Sequence, residues 1–176
     1  RLQFQKSELE NDPILPDWAK RMSLAVYGRE APWTADAIGD LHRQVAPRLT
    51  HRYGNRALLH VASTCAVHCR FCFRKSMLAA EEPKLYTGEW GDALIYLRTH
   101  AEIEELILTG GDPLSLSDSK LLQLFESLES IPSIRTVRIH TRSVVTLPSR
   151  VNEGLLDLLG RRWSFQIQVM NHFNHP

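Results

Sequence analysis

Cys65, Cys69 and Cys72 hold all the thiol chemistry of this chain, spaced Cys-x-x-x-Cys-x-x-Cys. Spacings of three and two let one short loop wrap its thiolates around a single inorganic centre. Thiolates are the common ligands of iron–sulfur clusters, and a four-iron cube held by three of them keeps one iron free for a substrate or cofactor. Other chemistries compete. A zinc site would need a fourth ligand, for which His68 is at hand, although one loop seldom supplies all four. A redox pair would use Cys69 and Cys72 and leave Cys65 without a role. Inert buried thiols fit poorly with Arg70, Arg74 and Lys75 interleaved. Those cations suit a site that stabilises thiolates and anionic ligands.

The rest of the composition narrows the setting. An odd number of cysteines gathered in one segment is unlike a disulfide framework, which spreads an even number along a chain. No apolar run approaches the roughly 18–20 residues that span a bilayer. The stretch from Arg1 to Lys6 lacks the apolar core of a signal peptide, so a cytoplasmic protein is expected. With 21 basic and 20 acidic side chains the formal charge is +1. Scattered basic residues at that balance give no docking surface for nucleic acid or an anionic membrane. The 176 residues, 43% of them hydrophobic, suffice for one medium domain. Starting on Arg1 and stopping at Asn174-His175-Pro176, just past a strand, the sequence is expected to be a fragment.

Elements that position the cysteines can be read from periodicity. Residues 1–50 carry prolines at 13, 16, 32 and 47 and are expected to form a helical extension, with helices at about Pro16–Tyr27 and Thr34–Gln44. Thr34 and Asp36 are candidate caps for the second. Residues 51–176 alternate. Strands are expected at Ala57–Ser63, Glu105–Thr109, Arg135–Thr141 and Ser164–Asn171. Helices are expected at Trp90–Thr99, Asp118–Glu129 and about Ser149–Leu159. Strand–helix–strand at this spacing is the pattern of right-handed βαβ units and a parallel sheet, here an α/β partial (β/α) barrel. Chemistry in such folds gathers where strands end. The four strands end in Ser63-Thr64-Cys65, Gly110-Gly111-Asp112, Thr141-Arg142 and Asn171-His172, which places all these residues on one rim.

The longer stretches around those ends carry a resemblance. Tyr53-Gly54-Asn55-Arg56-Ala57-Leu58-Leu59 and Cys65 to Arg74, then Thr109-Gly110-Gly111-Asp112-Pro113-Leu114, Arg138-Ile139-His140-Thr141-Arg142 and Asn171 to Pro176, resemble the lysine 2,3-aminomutase family of radical S-adenosylmethionine (SAM) enzymes. Within it, the branch that makes β-lysine for elongation factor P is the most similar. The resemblance runs from about residue 48 to the end. The cysteine triplet alone specifies only the superfamily, whereas its pairing with Gly-Gly-Asp-Pro-Leu is far more specific.

That resemblance implies an isomerase using a [4Fe–4S] cluster, SAM and pyridoxal 5′-phosphate (PLP). One electron from a flavodoxin- or ferredoxin-type donor would cleave SAM to a 5′-deoxyadenosyl radical. The radical would take hydrogen from C3 of lysine carried on PLP, and the amino group would move from C2 to C3. Implied roles follow by position. Cys65, Cys69 and Cys72 ligate the cluster. Gly110, Gly111, Asp112, Arg142 and His172 bind SAM, Arg142 at its carboxylate. Arg52, Tyr53 and Arg56 lie near the PLP phosphate, and Arg74 pairs with the substrate carboxylate. His140, Asn171 and His175 are weaker candidates. The lysine that anchors PLP in the family falls in a segment this chain lacks, and neither Lys75 nor Lys84 matches its context. Substrate identity therefore rests on the resemblance, with another amino acid or a non-catalytic zinc or iron–sulfur module as alternatives. A homo-oligomer is left open.

Overall fold

Apolar side chains that alternate along four short segments build one sheet, seen in a computed structural model that describes residues 36, 38–78 and 84–173. Its strands are β1 (Gln44–Ala46), β2 (Leu49–Tyr53), β3 (Arg56–Ala62), β4 (Glu105–Gly110), β5 (Thr136–Thr141) and β6 (Gln166–Asn171). They lie side by side in sequence order. β1, β2 and β3 pair antiparallel, and β3 to β6 pair parallel. Helices α1 (Lys75–Leu78), α2 (Gly91–Thr99), α3 (Asp118–Glu129), α4 (Ser143–Thr146) and α5 (Glu153–Gly160) fill the crossovers. This is the mixed α/β, partial barrel arrangement expected from the sequence.

One face of the sheet makes the core. Ala57, Leu59 and Val61 of β3, Leu106 and Leu108 of β4, and Val137 and Ile139 of β5 are buried with Leu121, Leu124, Phe125 and Leu128 of α3. Phe125 meets Trp163 and Phe165 edge-on. Each such aliphatic or aromatic side chain contributes about 1.5–3 kcal/mol by leaving water. Caps fix where the helices begin. Ser117 Oγ accepts from the Lys120 N–H at 3.4 Å, and Asn152 Oδ1 from the Leu155 N–H at 2.9 Å. The cap at Asn152 explains why the expected helix from Ser149 starts later: Pro148–Arg150 forms a separate 3-10 turn.

Because strand side chains alternate, the opposite face carries Arg56, Leu58 and His60, then Glu105, Ile107 and Thr109, then Arg138 and His140, then Gln166 and Gln168, in matching register. That face is polar. Arg138 pairs with Glu105 at 2.8 Å, and Arg56 approaches the same carboxylate at 3.9 Å.

The expected helix over 34–44 is corrected. Among its described residues, Leu41–Arg43 is a 3-10 turn capped by both Asp36 carboxylate oxygens, and Gln44 already belongs to β1. β1 and β2 form a hairpin on the sheet edge, so β2 crosses the expected boundary at residue 50. Pro47 and Arg48 make its turn, with Arg48 in the left-handed region at φ 63. Three hydrogen bonds offset that strain: Arg48 donates from Nε to Gly88 O (2.6 Å) and from Nη1 to His60 O (3.1 Å) and Val61 O (3.4 Å). The expected helix at Pro16–Tyr27 lies outside the described residues.

Candidate functional site at the rim of the parallel strands

Two loops leave the sheet side by side, and backbone contacts lock them together. The Gly111 N–H donates to Ala62 O at 2.7 Å, and the Asp112 N–H to Thr64 O at 2.8 Å. The glycines are required by that fit. A Cβ on Gly110 would run into the Ala62 carbonyl oxygen, with the Tyr86 ring beside it, and one on Gly111 would run into the Thr64 backbone. Gly110 also sits at φ 122, which side chains disfavour. The glycine pair therefore sets the start of the cysteine loop, one residue before Cys65.

Asp112 then ties this junction to the next strand. Its buried carboxylate accepts from the Leu114 N–H (3.0 Å), the Thr141 hydroxyl (2.6 Å) and the Arg142 N–H (2.8 Å). The carboxylate is thus used within the protein, while Gly110 and Gly111 line the rim. Arg142, held by its backbone, sends Nη1 to within 2.7 Å of Cys69 Sγ. Its guanidinium lies 5.4 Å from the Phe71 ring, which lies 5.6 Å from His172. The expected SAM residues and the cysteine loop therefore meet at one place.

All three cysteines are free and partly exposed. Burial pushes the Cys65 thiol up to about 11, with Asp112, Cys72 and Cys69 adding to the rise. Among the described residues no three His, Cys, Asp or Glu side chains converge where one ion could sit. A tetrahedral zinc draws its sulfurs to about 2.3 Å from one point. A cube receives its thiolates at separate corners, and three partly exposed cysteines on one loop beside the Arg142 cation are the donor chemistry it needs. His68 joins no such ligand group.

Arg74 lies inward from the rim and is 8% exposed. Its guanidinium is paired with Asp40 at 2.8 Å and donates to Thr109 Oγ1 at 3.3 Å. Sequence reasoning missed Asp40, since nothing marks one acid in a loop as the partner of an arginine in another. His60 and Tyr86 adjoin this pair, 5.5 Å apart. Burial, then Arg74 and Arg48, push the His60 pKa down to about 3, so the ring is neutral and bonds Thr50 Oγ1 at 3.0 Å. Burial pushes the Tyr86 hydroxyl up to about 12, and that hydroxyl has no hydrogen-bond partner among the described residues. His140 is likewise held below its ordinary value, chiefly by burial. Both amide atoms of Asn171 are buried without partners among the described residues.

Arg52, Tyr53 and Arg56 are not brought to the rim. They stand where β2 ends and β3 begins, a strand length of about 20 Å from the cysteine loop at roughly 3.3 Å per residue. Arg56 shares the polar face with His60 and meets Glu105 there. Lys75 and Lys84 carry no described side chain, and His175 lies outside the described residues.

Known proteins share this stretch of sequence. The profile of the 4Fe-4S single cluster domain family matches residues 52–156. An L-lysine 2,3-aminomutase of Escherichia coli is 41% identical over 143 residues, 81% of this chain and 41% of that protein. The chain belongs to the radical SAM lysine aminomutase family. Other members of the family include an L-lysine 2,3-aminomutase of Haemophilus influenzae, 38% identical over 82% of this chain and 42% of its own length. A glutamate 2,3-aminomutase of Clostridioides difficile is 30% identical over 80% of this chain and 33% of its own. The chain thus spans about two fifths or less of these relatives. The family's matched segment contains all three cysteines, the Gly-Gly-Asp junction and Arg142. No helix among the described residues is long and apolar enough to cross a membrane.

Proposed function

We propose that this chain provides the cluster- and SAM-binding part of a radical SAM aminomutase that moves the 2-amino group of L-lysine to C3, giving β-lysine. The observation that carries the reading is the junction in which the Gly-Gly-Asp turn fixes the cysteine loop and Arg142 rests on Cys69. When bound, the cluster and SAM supply a radical, and PLP supplies a carrier that spreads unpaired electron density.

The chain's own residues hold and orient. Cys65, Cys69 and Cys72 ligate the cluster, and the Gly110-Gly111 turn, packed on Ala62 and Thr64, offers its backbone to SAM. Asp112 fixes the Arg142 backbone from below, and His172 flanks Phe71. Arg142 keeps a buried Nε–H without a partner among the described residues, suited to the SAM carboxylate. Arg74, held by Asp40, is the cation offered to the substrate carboxylate. At the far end of the polar face Arg52 and Arg56 offer cations for the PLP phosphate, and Tyr53 stands between them. The free thiols support a cytoplasmic setting, where an electron donor of flavodoxin or ferredoxin type is at hand.

Anaerobic reconstitution tests the reading. The full protein should bind four irons and four sulfides, cleave SAM under reduction and convert L-lysine to β-lysine. Zinc in place of iron would overturn the cluster assignment. SAM cleavage with L-glutamate but not L-lysine as the amino acid converted would move the substrate to that of the glutamate relative.

A further inference from the structure

We infer that Arg142 sets the reduction potential of the cluster through Cys69, and that Asp112 is the positioning residue that holds Arg142 in place. The inference rests on the cluster reading above and adds a role for Arg142 distinct from any contact with SAM.

The geometry is constrained from both sides of the residue. Upstream, β5 ends at Thr141, whose hydroxyl donates to Asp112 Oδ1 at 2.6 Å. At Arg142 itself the backbone N–H donates to Asp112 Oδ2 at 2.8 Å. Downstream, the Arg142 carbonyl accepts from the N–H groups of Val145 and Thr146, both at 2.9 Å, and so starts α4. With its backbone pinned, the side chain crosses from the β5 loop to the cysteine loop and places Nη1 2.7 Å from Cys69 Sγ. The Phe71 ring, 5.4 Å from the guanidinium carbon, flanks it.

The electrostatic consequence has a definite sign. Reduction adds one electron to the cluster and its thiolates. A guanidinium hydrogen-bonded to a ligand sulfur stabilises that added charge more than it stabilises the oxidised form, so the potential rises. The site is partly buried, which keeps water from screening the contact. The contact is to Cys69, so the cation acts through that ligand. Arg142 can do this with Nη1 while Nε–H, buried and without a partner among the described residues, remains for an anionic ligand.

The test is a redox titration of the anaerobically reconstituted protein, followed by electron paramagnetic resonance with no SAM added. Arg142→Gln should lower the equilibrium constant for one-electron reduction about tenfold, a downward shift of about 59 mV. Arg142→Lys, which keeps the charge but loses the fork, should shift it by less than half as much. Asp112→Glu keeps the charge but moves the acceptor away from the Arg142 N–H, and should shift the potential in the same direction by a smaller amount. An Arg142→Gln protein with full iron and sulfide content that titrates within twofold of the parent would overturn the inference and leave the cluster reading intact. If Arg142→Gln takes up no cluster, unshifted potentials in both Arg142→Lys and Asp112→Glu overturn it instead. A parent protein that binds no iron overturns both readings.

Discussion

The two ends of the parallel strands solve opposite problems. At the rim, backbone packs on backbone. Gly110 and Gly111 let Ala62 and Thr64 approach, Asp112 gives its carboxylate to three donors, and the Arg74–Asp40 pair just inward is buried. At the far end, charged side chains meet on an open face, with Arg56, Glu105 and Arg138 all partly exposed. The rim tolerates little change because its contacts leave no slack. The far end gains specificity from charge and keeps room to adjust. A reaction centre that must hold a cluster at a fixed place needs the first kind of construction.

Matched substitutions test this contrast. The largest effect is expected from removing one acid of an arginine pair. Asp40→Ala leaves the Arg74 charge buried and should cost about 3–5 kcal/mol in chemical denaturation. The counterpart Glu105→Ala should cost about 1 kcal/mol or less, since Arg138 and Arg56 reach water. Equal losses at the two sites would erase the distinction.

A second pair compares glycines. Gly111→Ala drives a methyl group into the Thr64 backbone, and we expect about 1–3 kcal/mol of destabilisation with reduced iron uptake. Gly54→Ala, in the turn between β2 and β3, meets nothing within 4 Å and should stay within about 0.5 kcal/mol of the parent. Thermal melts and iron analysis on both variants measure the difference.

A third test varies pH at a single residue near the rim. His60 lies level with Thr109, toward the rim, and its folded pKa is about 3, below the ordinary value of 6.5. The unfolded chain therefore binds a proton between those values that the folded chain refuses. Stability contributed by the neutral ring is full above about pH 6.5 and declines as pH falls toward 3, by up to about 1.4 kcal/mol per unit. His60→Gln should flatten that decline between pH 6.5 and 5, before carboxylates begin to titrate. An unchanged slope in urea titrations across that window would show that the ring protonates freely in the fold.

How much of this was legible depended on whether one residue or a relation between residues carried the information. The cysteine spacing, the four parallel strands and α3 are local signals, and each strand end delivered its polar residues to the rim as read. The β1–β2 hairpin was hidden because its turn places an arginine, not a glycine, at positive φ. Ser149 looked like a helix start, but Asn152 won the cap because Pro148–Arg150 had already turned the chain. Asp40 was invisible since its partner lies 34 residues away. The cradle for Asp112 was equally hidden: sequence marks the acid next to Gly-Gly, but only the fold shows Thr141 and Arg142 consuming its oxygens.

The Arg48 turn carries a consequence for anyone redesigning this edge of the sheet. Tables of turn preference recommend glycine at such a dihedral, and glycine would relax it. Yet the same exchange would strip the donors that rivet the hairpin to Gly88, His60 and Val61, so three segments would lose their common fastener. Comfort of the main chain and reach of the side chain are set against each other in one residue, and here reach prevails.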